Sequence, residues 1–284
     1  MREKTNGKKK RGMSKYLRWI PAAVTVCAFF WWNNSALTVE RVTVEAPVEE
    51  SIRIVQLSDL HGAWFGPEQA RLAAHVWEES PDVIVITGDS IDSIHDNDAA
   101  ICLIERLADI APTYCVTGNH EELVRRDGSG DYEAFLDAVE RTQNAYLLRG
   151  ETVTLAEGVT LTGADDIPFA GGMSGYGRYI QRLAEQKGAR FSVLLAHRPE
   201  MAAHYAAAGF DLTLSGHAHG GQFRLPFAGG LLAPGQGLFP EYDSGLYELE
   251  NGVRMYVNRG LGNSVFPLRL FNRPEIAVIE IVSE

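Results

Sequence analysis

The chain has 284 residues, of which 45% are hydrophobic and 22% are charged, and these proportions are typical of a globular protein with one large or two small domains. The net charge is -11, but residues 1–18 alone contain eight Lys or Arg and one acid, so the remainder has 18 basic and 36 acidic residues. An acidic body of this kind excludes a general affinity for nucleic acid, which depends on Lys and Arg neutralising phosphates.

An uncharged apolar stretch follows the basic segment 1–18. It runs from Trp19 to Val39 over 21 residues, and a helix needs about 20 mostly apolar residues to cross a bilayer. A secretory signal peptide is the competing interpretation, but its apolar core is shorter, about 7 to 15 residues. We therefore expect a single-pass transmembrane signal anchor over residues 19–38. The basic end then lies in the cytoplasm and the domain formed by residues 39–284 lies on the extracytoplasmic side of the cell membrane.

Short apolar strands alternate with helical patterns after this stretch, which is typical of an α/β domain. The first three predicted strands end at Asp59, Asp89 and Asn119, which are 30 residues apart. That interval is the length expected of a strand, a helix and a loop. The corresponding strands are predicted over residues 51–57, 83–86 and 113–116, and the helices follow Pro67 and cover residues 98–109.

The remaining elements are less regular. We predict a helix over about residues 132–141, a hairpin over residues 151–161 and a helix that ends near Lys187. Further strands are predicted over residues 191–196, 211–214, 254–258 and 275–282.

Polar residues follow five of these strands. Ligands gather at the carboxyl ends of parallel strands, so side chains at these ends are expected to converge. Two histidines spaced His-x-His point to the same side of the backbone, and neutral imidazoles suit a transition metal. The five blocks are Asp59-x-His61, Gly88-Asp89-x-x-Asp92, Gly118-Asn119-His120-Glu121, His197 and Gly216-His217-x-His219.

Taken in this order, the five blocks resemble the calcineurin-like metallophosphoesterases from about Ile52 to the C-terminus. The resemblance implies an α/β fold, a four-layer α/β/β/α sandwich of two mixed sheets, with a dinuclear metal centre at one edge. Mixed imidazole, carboxylate and amide ligands favour Mn, Fe or Zn over an all-oxygen magnesium site. The implied ligands are Asp59, His61, Asp89 and His219 for one divalent ion and Asp89, Asn119, His197 and His217 for the other.

The same resemblance implies catalytic roles for two further residues. His120 protonates the leaving oxygen or stabilises the phosphate, and Asp92 lies behind His120 and fixes its tautomer. The alternative for Asp92 is a helix cap or a turn residue. No motif includes the three histidines His75, His95 and His204, so we expect no special function for them.

The sequence does not decide which phosphate ester is the substrate. The Gly-His-x-His-Gly-Gly-Gln form that ends at Gln222 resembles a membrane-associated bacterial branch whose members are phosphodiesterases. We expect the protein to hydrolyse a phosphodiester or pyrophosphate bond through a hydroxide shared by the two metals. One form of this hypothesis is that the substrate is linked to a lipid. The alternatives are a pyrophosphate hydrolase of lipid A synthesis that acts on UDP-2,3-diacylglucosamine, and a membrane-tethered metal-binding module without activity. The apolar residues between Phe223 and Phe239 either form a rim for lipid or close the core beneath a loop.

Overall fold

The computed structural model describes residues 19–166, 172–188, 190–263 and 266–284. The predicted basic segment 1–18 lies outside these residues. The helices are α1 (Ile20–Ser35), α2 (Ala70–Glu78), α3 (Asp98–Ala108), α4 (Asn119–Asp127), α5 (Asp131–Arg141), α6 (Gly172–Ala184) and α7 (Ala202–Ala208). The longer strands are β1 (Thr38–Ala46), β2 (Ile52–Leu57), β3 (Val83–Thr87), β4 (Thr113–Val116), β5 (Ala145–Leu147), β6 (Thr152–Ala156), β7 (Val159–Gly163), β8 (Phe191–Leu195) and β9 (Leu212–Ser215). Four two-residue strands follow, β10 (Arg224–Leu225), β11 (Gly229–Gly230), β12 (Leu232–Ala233) and β13 (Gly237–Leu238), and the last three are β14 (Gly245–Glu248), β15 (Arg254–Val257) and β16 (Glu275–Ser283).

The strands form two mixed six-stranded sheets. The first sheet has the order β1-β16-β2-β3-β4-β5, in which only β16 and β2 are antiparallel neighbours. The second sheet has the order β14-β15-β9-β8-β7-β6, with a parallel centre and antiparallel outer pairs. The predicted α/β class and the mixed sheets are confirmed.

Neighbouring residues of one strand pack on opposite faces, as the two-residue period of a strand requires. In β2, Ile54 joins a core that contains Val193 of β8, so that this core lies between the two sheets. Its neighbour Val55 packs instead with α2 and α3. In β8, Leu194 packs with α6 and α7. Helices therefore cover the outer face of each sheet, and both sheets bury apolar residues on two faces.

The expected anchor over residues 19–38 falls on the helix α1 and the start of the strand β1. The helix α1 covers Ile20–Ser35, which is 16 residues or about 24 Å at 1.5 Å per residue, against a hydrocarbon thickness of about 30 Å. The chain then enters β1 at Thr38, which pairs with β16. Across the residues that the structure describes, no helix combines the length and the apolar character that crossing a bilayer demands.

The sequence analysis missed several elements, among them the helix α4 and the strands that follow Gln222. The helix α4 begins directly at Asn119, although its sequence is mostly charged and offers little apolar periodicity. The apolar stretch after Gln222 contains four two-residue strands rather than a core segment. Within that stretch Leu225, Phe227 and Phe239 are exposed, so these side chains do not close the core.

Candidate dinuclear metal centre

The polar residues after the strands meet at one edge of the two sheets. Asp59 and Asp89 follow β2 and β3 of the first sheet, and His197 and His217 follow β8 and β9 of the second. All four side chains are buried. The two sheets thus bring carboxylates from one side and imidazoles from the other to a shared edge.

The sequence predicts seven ligands for two ions. Six of the seven form two groups in which potential ligand atoms lie within 4.8 Å of one another. One ring-nitrogen pair lies in each group: Nε2 of His61 is 3.2 Å from Nε2 of His219, and Nε2 of His197 is 3.1 Å from Nδ1 of His217. Asp89 belongs to both groups. The groups are Asp59, His61, Asp89 and His219, and Asp89, His197 and His217.

Asn119, the seventh residue, stands at the first position of α4. Its Oδ1 is buried and accepts no hydrogen bond from any described residue. A buried polar atom without a partner is costly, and a cation would satisfy this oxygen. The donor set therefore fits two divalent cations that accept nitrogen and oxygen ligands.

The backbone at this edge is held in an unusual conformation. Left-handed φ values are uncommon outside glycine and concentrate at functional sites, where surrounding structure maintains the strain. Five proposed ligands have positive φ: Asp59 (52°), His61 (45°), Asp89 (52°), His217 (66°) and His219 (48°). The sequence analysis did not find this feature, because aspartate and histidine adopt positive φ more often than other non-glycine residues but still do so only in a minority of positions.

The glycines that precede the proposed ligands leave room for neighbouring ligands. A Cβ atom on Gly88 would lie 2.7 Å from Nδ1 of His197, and one on Gly118 would overlap Oδ1 of Asp89. A Cβ on Gly216 would lie 2.5 Å from Oδ2 of Asp59. Each of these three glycines is therefore needed because a proposed ligand from another block packs against its Cα atom, where a side chain would not fit.

Two hydrogen bonds orient imidazole rings towards the centre. His197 donates from Nδ1 to the backbone oxygen of Thr87 at 2.7 Å, which leaves Nε2 facing Asp89 at 3.1 Å. His61 contacts Oδ2 of Asp92 through Nδ1 at 3.1 Å, so its Nε2 faces His219. Partners of this kind fix the ring orientation of metal-binding histidines.

Asp92 lies close to His120, since ligand atoms of His61, Asp92 and His120 are all within 4.8 Å of one another, but its side-chain contacts to histidine are with two other rings. Its Oδ2 contacts His61 and also Nδ1 of His95, at 2.7 Å. His120 is not hydrogen-bonded to it: Nδ1 of His120 has no hydrogen-bond partner among the described residues. Asp92 therefore holds His61, and His95, for which we expected no special function, shares the same carboxylate.

The ring of His120 nevertheless lies beside the two groups. It packs edge to face on the ring of His61 with 4.6 Å between centroids, and its backbone N–H donates to Oδ1 of Asp89 at 2.8 Å. Of the other two histidines without a motif, His75 is half exposed and 3.6 Å from Glu78, and the ring of His204 packs against Gly177 of α6. Neither belongs to the two groups.

Glu121 is a positioning residue that the sequence analysis did not single out. Its buried carboxylate accepts hydrogen bonds from the backbone N–H groups of Gly118 (2.7 Å), Asp89 (3.0 Å) and Ser90 (2.7 Å). It therefore ties the loop after β3 to the start of α4. The available signal was its place three residues after Gly118, from which a Glu side chain can accept the N–H of the residue before the helix.

Arg269 is the second residue that only the structure reveals. It is fully buried, donates to the carbonyl oxygens of Arg259 and Gly262, and has Nη2 3.4 Å from Nδ1 of His219. Its own carbonyl oxygen accepts from Asn33 at 2.6 Å and from Asn34 at 3.1 Å. The end of α1 is thus joined to the metal centre through one arginine.

Burial and neighbouring charge set the protonation of the centre. Burial lowers the pKa of His217 and His219 well below the usual value of histidine, which keeps both imidazoles in the neutral form that binds metal. Burial acts to raise the pKa of Asp89, but His197 beside it holds that pKa well below the usual range. The shared carboxylate is therefore an anion, as a residue between two cations must be.

Comparison with known proteins agrees with this geometry. A family model described as calcineurin-like phosphoesterase matches residues 52–221. A Bacillus subtilis protein named "Uncharacterized metallophosphoesterase YkuE" is 34% identical over 243 residues, covering 82% of this chain and 80% of that protein. An "Uncharacterized metallophosphoesterase" of Aquifex aeolicus is 31% identical over 270 residues, covering 91% and 97% of the two chains. A Bos taurus "Transmembrane protein with metallophosphoesterase domain" is 31% identical over 278 residues, which are 89% of this chain and 59% of that protein.

Proposed function

This chain belongs to the calcineurin-like phosphoesterase family, and from that membership we propose that it hydrolyses phosphodiesters with two divalent metal ions. The observation that carries the proposal is the position of Asp89, which lies in both groups of potential ligands. A carboxylate shared by two cations is what a dinuclear hydrolase requires, since the pair must be held about 3.5 to 4 Å apart.

The proposal assigns each group one ion. Asp59, His61 and His219 hold the first ion, and Asn119, His197 and His217 hold the second, with Asp89 shared. Bound cations of this kind polarise phosphoryl oxygens and lower the pKa of water, which supplies the nucleophile. The protein itself contributes a rigid arrangement of ligands that Glu121 and the packed glycines maintain.

His120 is proposed as the residue that acts on the leaving oxygen. Its ring lies against His61, its Nδ1 is not engaged by any described residue, and its side chain is part-exposed. Burial lowers its pKa. An imidazole placed in this way beside the centre can donate a proton to the departing oxygen or a hydrogen bond to phosphate.

A diester is favoured over a monoester by the space beside the centre. A cavity of 330 Å³ adjoins Asn119 and His217, which is close to the lower limit of small-molecule sites, about 300 Å³. A monoester carries one organic group on phosphorus and a diester carries two. The cavity therefore offers a place for the second group.

A lipid-linked ester is a second candidate. It is favoured by the exposed apolar side chains Leu225, Phe227 and Phe239, which follow the proposed ligands in the chain. Exposed apolar surface of this kind marks contact with lipid or another partner. A pyrophosphate-linked lipid would use the same metal centre.

The direct test is a substrate panel with metal-loaded protein. Purified protein is loaded with Mn, Fe or Zn and given p-nitrophenyl phosphate, bis(p-nitrophenyl) phosphate and a lipid pyrophosphate in detergent, with chelator-treated protein as the control. We expect metal-dependent turnover that is fastest on a diester. Turnover confined to the monoester would reject the diester assignment. Metal binding without turnover of any ester would favour a non-catalytic metal-binding module instead.

A further inference from the structure

The cavity beside the second group of ligands continues along one face of α4. Asn119, Leu123 and Arg126 all line it, and their spacing of four and three residues places them on one face of the helix. Seven residues of helix span about 10 Å, and side chains lean towards the helix N-terminus. Arg126 therefore extends back along the cavity towards Asn119 and the metal centre.

The positive charge of Arg126 is only partly neutralised by neighbouring carboxylates. Its Nε donates to Oε1 of Glu122 at 2.6 Å. Arg125 already binds that carboxylate through two N–H groups, Nε to Oε2 at 2.6 Å and Nη2 to Oε1 at 2.9 Å. Two guanidinium groups thus share one carboxylate. Within the described residues, Nη1 and Nη2 of Arg126 make no hydrogen bond, and its side chain is 57% exposed.

The second arginine on the cavity wall is in a different situation. The side chain of Arg198 is only 13% exposed and binds both carboxylate oxygens of Asp166, at 2.7 and 2.9 Å. Its Nη1 lies 3.4 Å from Glu200. Arg198 therefore neutralises the charge of Asp166. Of the two arginines that line the cavity, Arg126 is the one whose Nη1 and Nη2 make no hydrogen bond to a described residue, which leaves them available to a ligand.

The wall between the metal centre and Arg126 is partly apolar. Leu123 is 48% exposed, and Pro234 lies on the same cavity. An exposed leucine and a proline favour an organic group over a hydrated ion. A ligand that fills the cavity thus presents phosphate at one end, carbon along Leu123 and an acceptor for a guanidinium at the other end.

We propose that this cavity binds the second substituent of the phosphodiester and that Arg126 pairs with an anionic group, a carboxylate or a phosphate, on that substituent. The inference rests on the proposed phosphodiesterase function and specifies its substrate class. The preferred substrate is a diester whose second organic group carries its own negative charge, separated from the scissile phosphate by a carbon chain. A guanidinium recognises such oxygens through charge-assisted hydrogen bonds.

Equilibrium binding tests the inference without turnover. Metal-loaded protein is titrated calorimetrically with butylphosphonate, 4-phosphonobutyrate and butane-1,4-bisphosphonate, which carry no second anion, a carboxylate and a second phosphonate. We expect both two-anion ligands to bind about tenfold more tightly than butylphosphonate, as one charge-assisted hydrogen bond allows. The stronger of the two identifies the anion. Equal binding of all three by the wild-type protein would overturn the inference.

Two variants test whether the preference for ligands with a second anion depends on the side chain of Arg126. Arg126→Gln is expected to remove the tenfold preference and to leave butylphosphonate binding unchanged. Arg125→Gln removes the same charge from the same helix and the same carboxylate partner, but Arg125 does not line the cavity, so the preference is expected to persist. An equal loss in both variants would show a general charge effect and would reject the role of Arg126.

Turnover separates this inference from the proposed function. The substrates are p-nitrophenyl butyl phosphate and p-nitrophenyl 3-carboxypropyl phosphate, whose second substituents have the same number of carbons and differ in charge. A higher kcat/KM for the carboxypropyl ester that is lost in Arg126→Gln supports the inference. Equal rates on both esters in the wild type would reject it while the phosphodiesterase proposal stands. Failure to hydrolyse either ester would instead reject the phosphodiesterase proposal.

Discussion

Oδ2 of Asp92 lies 3.1 Å from Nδ1 of His61. The contact turns Nε2 of His61 towards His219, 3.2 Å away, in the group proposed for the first metal ion. Asp92 therefore acts through a ligand, whereas the sequence analysis placed it behind His120. The two interpretations give different experimental results.

The Asp92→Asn variant distinguishes them. We expect the affinity for metal to fall about 10-fold to 100-fold, because an amide supports the imidazole of His61 less well than a carboxylate does. Metal affinity is measured by calorimetric titration of the metal-free protein. Asp96→Asn in the same loop is the control, since Asp96 is exposed and, among the described residues, its side chain accepts from the backbone N–H of Asp98 alone. A slower turnover with unchanged metal affinity would support the earlier placement behind His120.

The Asp89→Asn variant tests the shared ligand. The substitution removes the negative charge that two cations would share, so we expect metal content to fall at both groups and turnover to be abolished. Elemental analysis of protein purified from metal-supplemented medium measures the metal content. Asp137→Asn, an exposed substitution on α5, should retain the wild-type content. A full complement of metal in Asp89→Asn would contradict the dinuclear assignment.

The His120→Ala variant tests proton transfer. We expect metal content to remain unchanged and kcat to fall by about two to four orders of magnitude, the usual contribution of a general acid. Steady-state kinetics on a p-nitrophenyl diester measure the change, and His75→Ala on the exposed side of α2 is the control. Turnover equal to that of the wild type would exclude His120 from the reaction.

The Arg269→Met variant tests the buried link between α1 and the centre. Arg269 donates to two carbonyl oxygens in the interior, those of Arg259 and Gly262. Leaving them without donors should lower the free energy of unfolding by about 2 to 4 kcal/mol. Urea denaturation followed by circular dichroism measures this loss. Arg141→Met, at an exposed site on α5, should change stability by less than about 0.5 kcal/mol. Similar midpoints for both variants would show that Arg269 does not stabilise the fold.

Much of the fold follows from local patterns in the sequence. The strand β3 is predicted because residues 83–86 are apolar on both faces, and the structure buries every residue of the observed strand Val83–Thr87. The helix α4 escaped prediction because the residues after Asn119 are mostly charged, and its start depends on the cap formed by Glu121. The anchor over residues 19–38 stays a prediction, because the sequence shows only an uncharged apolar stretch there, and the structure adds that Thr38 at its end pairs with β16.

The sequence by itself determined which chemical groups stand at the ends of the strands. The 30-residue interval between Asp59 and Asp89 and the His-x-His spacing are local properties, and they already point to a metal site. Only the tertiary structure decided which side chain each of these groups contacts, because the loops that follow different strands meet at one edge of the two sheets. The contact of Asp92 with His61 and the position of Arg126 on one cavity with His217 both arise between segments that lie apart in the chain.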